Sequence, residues 1–240
     1  MKKDHLFLKK STVVDFDFGE KTAEVFEDML DRSVPLYREL QRMTGELANE
    51  FAVDGTQVYD LGCSTGTTLH TLCESIEKSV TFIGIDNSEA MLEKAADHFR
   101  CKSVSKEYQF ILDDLNEKLD IQNASVVVLN LTLQFVRPLY RELVVRNIYS
   151  GLNENGCLIL VEKVLGNDSL FNRQFIRFYY DMKKRNGYSD MEIAQKREAL
   201  ENVLVPYRVD ENIELLNKQG FSHVDIFFKW YNFCGFLAVK

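Results

Sequence analysis

From Val58 to Gly66 the chain reads Val-Tyr-Asp-Leu-Gly-Cys-Ser-Thr-Gly, with small residues where a buried strand must turn sharply into a helix. Such a turn leaves bare backbone against which a ligand can lie. Asp86 closes the next apolar run, twenty residues after Gly66. A carboxylate there can accept both ribose hydroxyls of an adenosine-type ligand. Asp113-Asp114, after the third apolar run, would set a side chain and a backbone amide beside an adenine ring, and Asn130 ends the fourth run on the same rim. The turn is Gly-x-Ser-x-Gly, without the further glycine that admits a pyrophosphate, so a ligand without phosphates suits it better. An ordinary tight connection would explain the glycines alone, and Asp114 or Asn130 singly could be solvated or capping residues. As a set they point to a ligand site.

A second candidate lies far along the chain. Ile193, Arg197, Leu200 and Leu204 recur at spacings of four, three and four, so Arg197 falls where a helical stripe calls for an apolar side chain. A buried guanidinium must be paired, and its planar fork suits a carboxylate. That partner is either a ligand, an internal acid or a group across a subunit interface. Tyr37, near the start of an early helix, is open between packing and catalysis. Five scattered cysteines without a CxxC pair, and four separated histidines, support neither a metal site nor a histidine-based triad. No metal is expected.

The elements that must hold these residues alternate. Ser33 is read as the N-cap of a helix carrying Leu36, Leu40, Met43, Leu47 and Phe51, after an irregular start. Strands are predicted over 57–61, 81–85, 108–112, 125–129 and 157–162, with helices over 67–79, 88–100 and 138–151 between them. A helix over 209–219 precedes apolar runs 223–230 and 233–239, whose short link permits only a hairpin, so the last strand runs antiparallel. The fold class is α/β: a mostly parallel seven-stranded sheet covered on both faces. One domain, 1–240, carries an N-terminal helical segment, 1–55, and a helical insertion, 165–207. The insertion reads as two helices about Asn186-Gly187, the first with the stripe Phe171, Phe175, Phe178 and Met182, the second opened by the capping box Ser189-Asp190-Met191-Glu192. Its aromatic content suggests a dimer contact.

The formal net charge of −8, from 29 basic and 37 acidic residues, opposes a direct grip on nucleic acid. Residues 1–10 lack the apolar core of a targeting signal, and no run reaches the roughly 20 apolar residues of a membrane span. A soluble, cytoplasmic protein is expected.

The glycine turn, Asp86-Asn87 and the strand order resemble the class I S-adenosylmethionine-dependent methyltransferases, a Rossmann-like fold. More specific stretches, Arg32 to Tyr37, Tyr59 to Ser64, Val128 to Phe135, Asn186 to Ser189 and Glu201 to Val203, resemble the carboxy-S-adenosylmethionine synthase family over nearly the whole chain. The resemblance implies a transferase that does not methylate. It takes S-adenosylmethionine as substrate and prephenate as carboxyl donor. The products are carboxy-S-adenosylmethionine and phenylpyruvate, the former passed to a tRNA carboxymethyltransferase that builds 5-oxyacetyluridine at the wobble position. By resemblance Tyr37, Gly62, Cys63, Ser64, Asp86, Asn87, Asp114, Leu115, Asn130 and Arg197 bind the cofactor. Arg197, holding the new carboxylate, and Tyr37 are the residues implied in catalysis, in a homodimer without membrane or direct nucleic-acid contact. An arginine repels a sulfonium but suits a carboxylate, which is where residue and resemblance meet. No histidine or lysine reads as a base. The rivals are an ordinary methyltransferase of a small molecule or RNA, weakened because Asn130-Leu131-Thr132-Leu133 stands where an Asn-Pro-Pro-Tyr motif would favour base methylation, and a non-catalytic binding subunit.

Overall fold

The computed structural model describes residues 2–8, 15–117 and 119–240; Met1, Lys9 and Lys10 of the N-terminal stretch lie outside them. Seven strands, β1 (Gln57–Leu61), β2 (Thr81–Asp86), β3 (Tyr108–Leu112), β4 (Ala124–Asn130), β5 (Leu152–Lys163), β6 (His223–Trp230) and β7 (Phe233–Val239), form one sheet in the order β3-β2-β1-β4-β5-β7-β6. The first five pair in parallel, while β7 runs antiparallel to both β5 and β6. Central strands covered on both faces must be apolar throughout. Accordingly Val126, Val127, Val128 and Leu129 on β4, and Leu158, Ile159 and Leu160 on β5, are fully buried.

Helices α3 (Thr67–Ser75), α4 (Glu89–Cys101), α5 (Pro138–Gly151) and α8 (Val209–Lys218) connect the strands. Their starts obey local chemistry. Ser88 caps α4 by accepting the Met91 N–H, and Pro138 opens α5, where a missing N–H costs nothing. Two apolar clusters, one on each face, contain Leu61, Leu129 and Phe236 on one side and Phe82, Leu72 and Phe99 on the other.

The N-terminal reading needs correction. Residues 20–33 are not irregular but form α1 (Glu20–Ser33), and Ser33 ends that helix rather than capping the next. Pro35, two residues on, cannot continue a helix. The following helix, α2 (Tyr37–Phe51), starts after Leu36, which is left-handed (φ 52°) and exposed. Its buried line is Leu40, Gln41, Thr44, Gly45 and Ala48, rotated from the expected stripe because α2 lies against α3: a Cβ on Gly45 would collide with Ser75 Oγ.

In the later segment, α6 (Ser169–Arg185) and α7 (Asp190–Leu200) are joined by Asn186-Gly187. The predicted capping box is present, Ser189 Oγ accepting the Glu192 N–H while Glu192 accepts the Ser189 N–H. Phe175 and Phe178 pack on Tyr231, and Phe171 remains largely exposed.

Candidate active site

The carboxyl ends of β1, β2, β4 and β5 open into a cavity of about 220 Å³ beneath α1, α2, α6 and α7. At its floor Gly62 is left-handed (φ 73°), and its N–H and that of Cys63 both donate to the Ile85 carbonyl at 2.7 and 3.0 Å. The turn therefore folds back on β2 and presents Cys63 and Ser64 to the cavity. Ser64 donates its N–H to Asp86 Oδ2, and Ser88 donates to Asp86 Oδ1, each at 2.9 Å. The carboxylate is thereby fixed by backbone, with lone pairs left over for hydroxyl donors. Burial raises its pKa, and the N–H groups of Ser88 and Ser64 oppose that rise.

Across the rim, Asn130 donates from Nδ2 to Thr68 Oγ1 at 3.0 Å, and Gln41 donates from Nε2 to the same oxygen at 2.9 Å. Gln41 is also hydrogen-bonded to the Tyr37 hydroxyl, whose pKa is raised chiefly by burial. A chain of side chains thus ties α2 and Tyr37 to the end of β4. Asn130 Oδ1, Thr65 Oγ1 and Thr67 Oγ1 are buried without a hydrogen-bond partner among the described residues. Unsatisfied acceptors of this kind suit an ammonium donor on a ligand. Asp114 Oδ1 accepts from the backbone and side chain of Asn116, which orients the β3 end of the cavity.

Tyr37, Gly62, Cys63, Ser64, Asp86, Asn87, Asp114, Leu115 and Asn130 all line this cavity, so nine of the ten predicted positions are brought together. Arg197 is not among them. It is exposed: Ile193, Leu200 and Leu204 of the expected stripe are buried or line the cavity, but α7 turns Lys196 inward beside them and leaves Arg197 outside. The inward cation is Lys196, which donates to Ser33 Oγ at 3.2 Å and stands 3.8 Å from Asp4 Oδ2. Tertiary partners from the N-terminal segment, invisible to periodicity, hold it there.

Two lysines that the sequence did not single out also stand at the cavity. Lys163, at the end of β5, and Lys196 line the cavity, and burial pushes both ammonium groups down to about 8. Lys183, on α6, lies behind them and is pushed to about 7 by burial and then by Lys196 and Lys163. Asp60, on β1, is 1% exposed with Oδ2 unpartnered; burial and the neighbouring Asp86 raise it to about 7. Asp60 stood inside the quoted glycine run, while the lysines carried no signal beyond their type. Among the residues that line the cavity, the acids Asp86 and Asp114 stand beyond β2 and β3 and the lysines Lys163 and Lys196 on β5 and α7, at opposite ends.

Solved structures share this architecture. An O-methyltransferase family protein from Burkholderia thailandensis matches with TM-score 0.67 at 13% identity, over 92% of this chain and 60% of that one. An S-adenosylmethionine-dependent methyltransferase from Methanosarcina mazei matches with TM-score 0.56 at 17% identity, over 81% of this chain and 96% of that one. The family model described as a methyltransferase domain matches residues 52–203. Fold and cavity together define the class: a methyltransferase-fold domain. Full-length relatives narrow it. A carboxy-S-adenosyl-L-methionine synthase from Methylococcus capsulatus is 54% identical over 100% of both chains, and one from Desulfotalea psychrophila is 44% identical over 100% of this chain and 98% of its own. This chain belongs to the carboxy-S-adenosyl-L-methionine synthase family.

Proposed function

We propose that the protein converts S-adenosylmethionine and prephenate into carboxy-S-adenosylmethionine and phenylpyruvate. The observation that carries this reading is the full-length identity to carboxy-S-adenosyl-L-methionine synthases, joined to a cavity that contains nine of the ten residues expected to hold the adenosylated ligand. Atoms and charges balance without an external base. Prephenate dianion fragments to phenylpyruvate, carbon dioxide and hydroxide; the sulfonium methyl loses a proton; the resulting ylide carbon adds to carbon dioxide; proton and hydroxide combine as water.

In this reading Asp86 takes the ribose hydroxyls, Asn87, Asp114 and Leu115 surround the adenine, and Gly62, Cys63 and Ser64 allow the ligand close to the backbone. Asn130 and Tyr37 border the amino-acid and sulfonium end. Arg197 holds the new carboxylate. Because it faces away from its own cavity, it serves the site of a second copy, and the exposed apolar residues Leu170, Phe171 and Tyr231 offer a surface for such a homodimer. The chain acts as one domain in the cytoplasm. It hands its product to a tRNA carboxymethyltransferase for wobble 5-oxyacetyluridine, and its net charge of −8 suits an enzyme that does not itself touch tRNA. Among the described residues no helix is long and apolar enough to cross a membrane.

The test is mass spectrometry of purified protein incubated with S-adenosylmethionine, with and without prephenate. Carboxylated product together with phenylpyruvate, only when prephenate is present, supports the reading. An unchanged cofactor, or S-adenosylhomocysteine accumulating with an added acceptor, refutes it.

A further inference from the structure

Four cations, Arg32, Lys163, Lys183 and Lys196, surround Tyr179 and Tyr188 at one end of the cavity. Two acids answer them: Asp28 pairs with Arg32 at 3.2 Å, and Asp4 lies 3.8 Å from Lys196 while also accepting the Tyr188 hydroxyl. Among the described residues Lys163 and Lys183 have no carboxylate within ion-pair distance. Their ammonium groups sit over the Tyr179 ring at 5.0 and 5.5 Å, and Lys183 is only 4% exposed. An ammonium drawn out of water without a counter-ion is costly and gives up its proton readily, and an anion placed beside it would hold that proton on.

The position is equally specific. Lys163 ends β5, and Asp86 ends β2; with β1 and β4 between them the two lie three strand spacings apart, roughly 14 Å. The cations are thus well removed from the adenosine anchors, on the far side of the glycine turn. Beside them Tyr179 and Phe233, 5.4 Å apart, supply an apolar wall that also faces the cavity. A ring carrying two carboxylates matches one cationic face and one apolar face at once.

We propose that Lys163 and Lys196, with Ser33 beside them and the charge of Lys183 behind, form the subsite that binds the dicarboxylate carboxyl donor, its ring against Tyr179 and Phe233. This inference rests on the carboxylation reading and adds the residues that select the donor.

The test uses the full-length protein and prephenate itself. Calorimetric titration of prephenate into protein saturated with S-adenosylmethionine is repeated for Lys163→Met and Lys196→Met, alongside titration of S-adenosylmethionine alone and, by mass spectrometry, the KM for prephenate. Each substitution is expected to weaken prephenate at least tenfold while S-adenosylmethionine affinity stays within twofold, and Lys163→Arg should recover most of the loss. Equal weakening of both ligands, undiminished prephenate binding in the variants, or no prephenate binding by the parent protein overturns the subsite. Should Lys196→Met not fold, Lys163→Met decides, since Lys163 stands at a strand end with no ion pair to lose. Binding without carboxylation by the parent protein would instead refute the reaction while leaving the subsite to stand on the titrations.

Discussion

Replacing Gly62 by alanine separates two costs that the turn combines. At φ 73° an L-residue pays roughly 1–2 kcal/mol for the left-handed backbone. The added Cβ would also lie 2.6 Å from Thr132 Oγ1, and closer still to Thr132 Cγ2, a clash worth about 1–3 kcal/mol of overpacking. Gly62→Ala should therefore lose about 2–5 kcal/mol in urea unfolding, and bind S-adenosylmethionine weakly because the turn that presents Cys63 and Ser64 is displaced. Thr132→Ala removes both clashing atoms and leaves only Thr132 Cβ, at 3.0 Å. The double variant should regain the packing part, about 1–3 kcal/mol, and not the backbone part. A single Gly62→Ala loss below about 1 kcal/mol, or a double variant no more stable than the two losses added together, would refute the argument that Thr132 and the turn are fitted to one another.

Asp60 predicts a pH dependence. The folded protein holds its proton up to about pH 7, whereas the unfolded chain releases it near an ordinary carboxylate value, so stability falls as pH rises through that window. Asp60→Asn should remove that slope and stabilise the ligand-free protein at pH 8 by on the order of 1–4 kcal/mol, with little change at pH 4, read by thermal melting across pH; a parallel shift of both profiles would contradict it. Arg197→Ala should weaken carboxy-S-adenosylmethionine by about 2–4 kcal/mol and S-adenosylmethionine far less, and equal losses would remove its assigned role. Mixing Arg197→Ala with Asp86→Ala should restore part of the activity each lacks, since one intact site can then form across the interface; no restoration would place the arginine in its own chain's site.

Much of the sheet was legible because buried parallel strands leave continuous apolar runs, and because the small residues from Gly62 to Gly66 mark a sharp strand-to-helix turn. Helix α1 was not, although Ala23, Phe26 and Met29 are helically spaced. Gly19 caps it without a side-chain bond, so the usual start signal is missing, and Ser33 before Val34-Pro35 imitates a cap while ending the helix. The inward lysine of α7 was missed for a different reason. Lys196 is buried only because Asp4 and Ser33, both more than a hundred and sixty residues away, receive it. Periodicity assigns lysine to solvent, and only tertiary partners reverse that assignment. Lys163 and Lys183 are likewise set by tertiary packing, over the Tyr179 ring.

The two ends of the cavity are built differently along the chain. The half around the glycine turn is assembled by consecutive strand ends, each contributing its own short peptide, whereas the cationic half is gathered from residues 4, 32 and 33, the end of β5, and helices α6 and α7. Change in the helical cover can alter the cationic half without disturbing the strand ends. A scaffold of this kind separates the inherited recognition of an activated methyl group from the choice of what that group becomes, and lets the second be rewritten one peripheral residue at a time.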